Sequence, residues 1–342
     1  MDPGSFELLN VAGTVVHPEG IIPQRVPEAV RVRLNSDGQE KALDVPNVEI
    51  RFVWDWDTPA TVRLSSQAGA MAVAWYGDFQ RILTQIGPEP VTIPLLPPAV
   101  FRGADLTKLP VRSFSPRVGR LMLHGGPVVI HEVSGEGMRR PRPEEVPGLR
   151  YAAYGSSIAH GVFASGPHLS YPSRIARAFG WDLLNLGFRG SALADRAMAD
   201  YLADGLSWDV LTIEASANLV PFFTAREAAL RWRYFLSRVV KAHPDKPIVI
   251  LNMFLRHYDL PATRGSRDVE EYREVMREIV RELDAGNVTL LEGLLPEETG
   301  LTADLLHPGD DGFEWIARGV IAHLRDRLGF RPVLAAFRSG LA

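Results

Sequence analysis

The chain has 342 residues, 46% of them hydrophobic and 23% charged, with a formal net charge of −4. That length exceeds one typical domain and suits two, and the composition supports a sizeable buried core rather than disorder. An acidic balance, with basic side chains scattered among acids and not gathered in a stripe, argues against nucleic acid or an anionic membrane as the main partner. Cysteine is absent, which removes disulfides, thiolate nucleophiles and cysteine-ligated metals together.

In chain order, the first 147 residues read as short strands separated by Pro, Gly, Asn and Asp. The run from Val48 to Trp56 alternates, placing Val48, Ile50, Phe52, Trp54 and Trp56 on one face. Further strands are expected at Thr61–Leu64, Met71–Trp75, Val91–Leu95 and Gly126–Glu132. Strands at this spacing predict an antiparallel, jelly-roll-like sandwich. Trp54, Trp56 and Trp75 could form a sugar-binding platform, but their parity with apolar neighbours predicts packing on core faces. A charged, proline-rich connector, Gly137–Pro147, then marks a boundary, giving units 1–147 and 148–342.

From Leu149 the pattern changes. Short apolar runs at Leu149–Tyr154, Leu183–Phe188, Asp209–Glu214, Pro247–Phe254 and Asn287–Glu292 suit strands buried on both faces. Amphipathic stretches near Pro172–Phe179, Ala192–Leu202, Ala225–Ala242, Val269–Leu283 and Gly312–Leu328 predict helices between and after them. The expected fold is a doubly wound α/β layer with five parallel strands.

In such a sheet, sites form beyond the carboxyl ends of the strands. The first strand runs into Gly155-Ser156-Ser157-Ile158, which by itself reads most simply as a helix N-cap. It also reads as a hydroxyl nucleophile at a helix N-terminus, where backbone N–H groups could stabilise an oxyanion. A serine nucleophile needs a base, and of nine histidines only His307 has an acid, Asp304, three residues before it. That spacing lets the carboxylate bond one imidazole nitrogen and leaves the other for a serine, though a solvated Asp beside a capping His fits equally. Gly190 reads as a turn glycine or as an unobstructed backbone donor, and Asn218 as a cap or as an amide donor. His160, three residues after Ser157, is expected to point away or to line the pocket rim. Arg256, His257, Tyr258 and Asp259 follow the fourth strand and could shape a pocket. The chain carries no G-x-S-x-G, H-E-x-x-H, Walker A loop or G-x-G-x-x-G.

In chain order these residues run Ser, Gly, Asn, His, and here the second half resembles the SGNH hydrolase superfamily, the GDSL-type esterases and lipases. Gly155-Ser156-Ser157-Ile158 is similar to the first signature block, with Ser156 where Asp is usual. Asn185-Leu186-Gly187-Phe188-Arg189-Gly190 is similar to the second block and Asp304-Leu305-Leu306-His307-Pro308 to the last. The third departs: Ser216-Ala217-Asn218-Leu219 keeps the Asn of G-x-N-D but not its Gly or Asp. The resemblance implies a flavodoxin-like sheet, Ser157 as nucleophile, His307 as base and Asp304 as its orienting partner. It implies an oxyanion hole from the Ser157 and Gly190 N–H groups and the Asn218 side chain. A β-rich unit ahead of such a layer is similar to several carbohydrate esterases, so hydrolysis of a small acyl ester, acetyl on carbohydrate, is the expectation. Acyl transfer, thioesterase or lysophospholipase chemistry on the same triad, and a silent carbohydrate-binding protein, are the alternatives.

No metal or organic cofactor is required by this chemistry, so none is expected. The expected partner is a small-molecule or carbohydrate acyl ester; a homo-oligomer is allowed. No run reaches 18 uninterrupted apolar residues, so no transmembrane segment is expected. MDPGSFELLN lacks the regions of a signal peptide, which makes a cytoplasmic location the expectation, although its first five residues also read as a cloning remnant.

Overall fold

The computed structural model describes residues 4–109, 113–215, 217–260 and 269–334. Ten antiparallel strands come first: β1 (Glu7–Leu9), β2 (Gly13–His17), β3 (Gly20–Gln24), β4 (Val48–Phe52), β5 (Ala60–Ser65), β6 (Ala70–Tyr76), β7 (Phe79–Ile86), β8 (Val91–Leu95), β9 (Gly119–Gly125) and β10 (Val129–Ser134). Short helices α1 (Glu28–Arg31), α2 (Ser36–Lys41) and α3 (Ala99–Arg102) interrupt them. One sheet has the order β1-β4-β9-β6-β7 and the other β2-β3-β10-β5-β8. From β3 to β10 the strands pass between the sheets as the eight strands of a jelly roll do, in line with the sequence pattern.

The alternation in β4 explains how this sandwich meets the rest of the chain. Val48, Ile50 and Phe52 point into the sandwich core, where Trp54 and Trp56 join them. The intervening Glu49 and Arg51 are equally buried, on the opposite face. There Arg51 Nε lies 2.7 Å from Glu49, Arg51 Nη1 lies 2.8 Å from Asp182, and Arg120 grips Glu49 at 2.6 Å. Desolvation pushes the Glu49 carboxyl up, but the two guanidiniums outweigh it and hold the group at about 2. Trp75 is buried as expected but on this same outer face, with Val73 and Met122 and beneath the Arg177 guanidinium. The β4, β9 and β6 strands of this sheet are therefore buried on both sides.

The second layer contains β11 (Arg150–Gly155), β12 (Asp182–Gly187), β13 (Val210–Glu214), β14 (Ile248–Leu251) and β15 (Val288–Leu291), all parallel, in the order β12-β11-β13-β14-β15. That is the 2-1-3-4-5 order of a flavodoxin-like sheet. The helices are α4 (Ser157–His160), α5 (Tyr171–Phe179), α6 (Arg196–Asp200), α7 (Ala225–Ala242), α8 (Val269–Leu283) and α9 (Asp310–Asp326). Trp232, Phe235 and Leu236 of α7 and Met276 and Ile279 of α8 pack on one face; Ile175 of α5 and Phe313, Ile316 and Val320 of α9 pack on the other. The helix expected over Ala192–Leu202 starts only at Arg196, because Ser191–Asp195 form a loop in which Ala194 takes a positive φ. It continues past α6 as a single π turn, Tyr201–Gly205.

Candidate active site

The turn after β11 is built from both ends. The Ser156 hydroxyl accepts from the Ile158 N–H at 3.2 Å and so caps α4, as its position predicts. It donates in turn to Glu214 Oε1 at 2.5 Å, while Glu214 Oε2 accepts from the N–H groups of Ser156 and Ala159, each at 3.0 Å. Glu214 ends β13 fully buried; desolvation raises its carboxyl, and the three donors pull against that rise. Its side chain fills the space beside Gly155, where a Cβ would come within 2.5 Å of Oε2. Gly187 at the end of β12 is as constrained: a Cβ there would lie 2.2 Å from the His160 N. Two strand-end glycines thus let α4 sit directly on the sheet, with the Ser157 side chain at its first turn and just reachable by solvent.

The Asp304–His307 turn approaches from the C-terminal side. Asp304 Oδ1 accepts from Thr302 Oγ1 at 2.8 Å and from the Leu306 and His307 N–H groups at 3.0 Å, which fixes the carboxylate. Oδ2 then lies 2.6 Å from His307 Nδ1, and His307 Nε2 lies 2.7 Å from Ser157 Oγ. A carboxylate can only accept, so the ring proton sits on Nδ1 and Nε2 faces the serine as the acceptor. Partial burial pushes the Asp304 carboxyl up, but its hydrogen bonds outweigh this and hold it well below the usual range. The loop after β14 props this turn, since the His257 N–H donates to the Leu305 carbonyl at 2.6 Å. Asp259 from the same loop pairs with Arg273, and Arg256 is buried.

Gly190 follows β12 with φ 73°, exposed and with nothing within 4 Å of a built Cβ. Its loop is tied to the serine turn by the Phe188 N–H, which donates to the Gly155 carbonyl at 2.8 Å. Asn218 belongs to a 3-10 turn after β13, and its Oδ1 accepts from the Ala192 N–H at 3.2 Å. The structure therefore brings Ser157, His307 and Asp304 into one line and sets the Gly190 and Asn218 segments against each other at the same sheet end. Ser216, from the same sequence block as Asn218, lies outside the described residues.

His160 takes no part in that line. It is buried, edge-on to His124 of β9 at 5.2 Å between ring centres, and its pKa lies well below normal because the imidazole is desolvated. So it points away, and it does not line a rim. Sequence reasoning missed Glu214, whose signal was a lone carboxylate ending an apolar, doubly buried strand. It also missed Phe163, 58% exposed at φ 69°, whose ring stands edge-on to His307 at 5.3 Å. Among the described residues no group of three or more His, Asp or Glu side chains could hold a metal, and no helix is long and apolar enough to cross a membrane.

No curated protein matches the chain. Over its whole length it is similar in structure to a salicylyl-acyltransferase, SsfX3, from a tetracycline biosynthetic pathway (TM-score 0.76, 19% identity, 97% of each chain covered). It is also similar to a protein from Bacteroides ovatus assigned as a GDSL-like lipase (TM-score 0.68, 17% identity, 96% and 97% covered). A third likeness is to an acetyl xylan esterase from the rumen bacterium Butyrivibrio proteoclasticus (TM-score 0.59, 14% identity, 96% and 98% covered). At these identities the likeness shows the fold. Residues 150–324, just over half of the chain and the span that holds the Ser157–His307–Asp304 line, match the GDSL-like lipase/acylhydrolase family model, and the chain belongs to that family.

Proposed function

We propose that this protein is a serine esterase that cleaves small acyl esters, with acetyl groups on carbohydrate as the favoured class, through an acyl-serine intermediate. The observation that carries the reading is the continuous relay from Asp304 Oδ2 to His307 at 2.6 Å and from His307 Nε2 to Ser157 Oγ at 2.7 Å. His307 takes the Ser157 proton as the oxygen attacks the ester carbonyl. The N–H groups of Ser157 and Gly190 and the Asn218 side chain receive the oxyanion. Collapse breaks the bond to the alcohol, which takes the proton from His307. Water, deprotonated by the same nitrogen, then attacks the acyl-serine and releases the acid. Asp304 holds the tautomer and steadies the imidazolium. A sandwich ahead of the catalytic layer, shared with an acetyl xylan esterase, supports the carbohydrate acetate class.

The test is hydrolysis of p-nitrophenyl acetate and of acetylated xylan by the wild type, Ser157→Ala and Ser156→Ala. Ser157→Ala is expected to lose roughly 10³-fold or more in turnover, and Ser156→Ala to keep most of it. Wild-type activity in Ser157→Ala sinks the nucleophile, and an inert wild type favours a binding protein.

Transfer of the acyl group to an alcohol other than water is the second reading. Phe163 favours it: an exposed aromatic ring beside the base would cover the acyl-serine and seat an apolar acyl or acceptor group. Full-length likeness to an acyltransferase points the same way. The ratio of transfer to hydrolysis products with rising acceptor alcohol separates the two.

A further inference from the structure

Gly190 is exposed in a turn closed by the Ser191 N–H to the Phe188 carbonyl at 3.0 Å, and it has no side chain of its own to fix the direction of its N–H. The residues on either side of it do, and both are held from the sandwich. Arg189 Nε donates to Asp44 Oδ2 at 2.7 Å and Nη2 reaches Oδ1 at 3.3 Å. Asp44 lies just beyond α2 and is 1% exposed. On the other side, Asn35 Nδ2 donates to the Ser191 carbonyl at 2.9 Å and to Asp195 Oδ2 at 2.6 Å. The base of the loop is gripped in the same way. The Asn185 carbonyl accepts from Asn10 Nδ2 at 3.1 Å and Arg25 Nη1 at 3.0 Å, and Asn185 Nδ2 donates to Asn47 Oδ1 at 2.9 Å. Arg25 is itself buried and held by the Asp44 and Lys41 carbonyls.

We propose that the β-sandwich is a working part of the active site: Asp44 through Arg189, and Asn35 through Ser191, are positioning residues that aim the Gly190 N–H at the developing oxyanion. This rests on the oxyanion role given to Gly190 above. The donor is needed only when negative charge builds on the carbonyl oxygen, so loosening the clamp weakens the transition state and leaves the ground state nearly untouched. Turnover should fall while KM stays level. Loss of one oxyanion donor typically costs about 10²–10³ in kcat, and a displaced donor should lose a part of that.

The experiment compares Asp44→Asn, Asn35→Ser and their double variant with the wild type on p-nitrophenyl acetate, recording kcat, KM and Tm. Serine at 35 keeps the cap of α2, where Asn35 accepts from the Gly38 N–H, and loses the reach to Ser191. The control is Arg139→Gln, which breaks a comparable ion pair with Glu145 in the connector. We expect kcat to fall by about 10-fold or more in each clamp variant, further in the double variant, with KM within about twofold; Arg139→Gln should change Tm alone. If Asp44→Asn does not fold, Asn35→Ser decides alone. Wild-type kcat in folded clamp variants, or a rise confined to KM, overturns the clamp while Ser157→Ala remains dead. An active Ser157→Ala or an inert wild type takes down the triad reading first and the clamp with it.

Discussion

Glu214 shows how much of a serine site lies outside the serine. Its carboxylate receives one hydroxyl and two N–H donors from the turn that carries Ser157, all of them buried. Glutamine at this position has the same shape but one acceptor oxygen, so a donor of the turn is left without a partner. A buried unsatisfied donor costs about 1–3 kcal/mol, and Glu214→Gln is therefore expected to lower the melting midpoint by several degrees and to reduce turnover with it. A thermal melt alongside a p-nitrophenyl acetate assay checks this; an unchanged melt would show that the turn stands without Glu214. Ser157 was legible in the sequence only in company with Gly190, Asn218 and the Asp304–His307 pair, because a serine after a buried strand reads by itself as a helix N-cap. Glu214 was not singled out, because its partners lie 55 and 58 residues upstream and pairing across strands leaves no local pattern.

At the level of elements, legibility followed burial and periodicity. The amphipathic period located α7 to the residue, and α8 at its C-terminal end, helped at α7 by the reciprocal Thr224–Glu227 capping box. The strands β1 to β3 and the mostly exposed β7 were missed, because a strand with neither face fully in a core has no alternation to read. β9 was missed for the opposite reason. Both of its faces are buried, so Arg120 and His124 stand among Leu121, Met122 and Leu123 and mask the period. The Asp304–His307 turn was legible because its chemistry is local. In it the two carboxylate oxygens have separate duties, Oδ1 shaping the turn and Oδ2 orienting the ring. Asp304→Asn retains an acceptor for the turn and places an amide against Nδ1, which favours the wrong tautomer. Turnover is expected to fall by roughly 10³–10⁴ with the circular dichroism spectrum unchanged; a loss under tenfold would remove Asp304 from the relay. The Asp304 carboxyl lies well below the ordinary range, so it stays charged at pH 4 and above, and the stability it lends fades only as the pH falls further.

For the whole molecule, the junction between sandwich and α/β layer sets the response to acid. His124 and His160 meet across it with Asp44, Arg189 and Arg25 nearby. Desolvation lowers His124 to about 4 and puts His160 well below normal; His168, also near the junction, falls to about 4. In the unfolded chain these groups take up protons near pH 6.5. Between pH 6.5 and 4 the unfolded state thus binds protons that the folded state refuses, and stability falls as the pH drops through that window. Above about pH 7 these groups contribute no slope. Urea midpoints at pH 5 and 7.5 are expected to show the loss, and His124→Gln to reduce it. Equal slopes in the two proteins would exclude His124 as a contributor.

The same junction also decides what the protein can join. β12 is one of the two outermost strands of the parallel sheet, and an outermost strand offers unpaired backbone groups to any other chain that meets it. Here the Asn185 carbonyl on that margin is already taken by Asn10 and Arg25, and Asp182 at its start is engaged by Arg51. A catalytic layer cut free of the sandwich would leave the Asn185 carbonyl unpaired on this margin, and such a layer is expected to aggregate more readily than the whole chain.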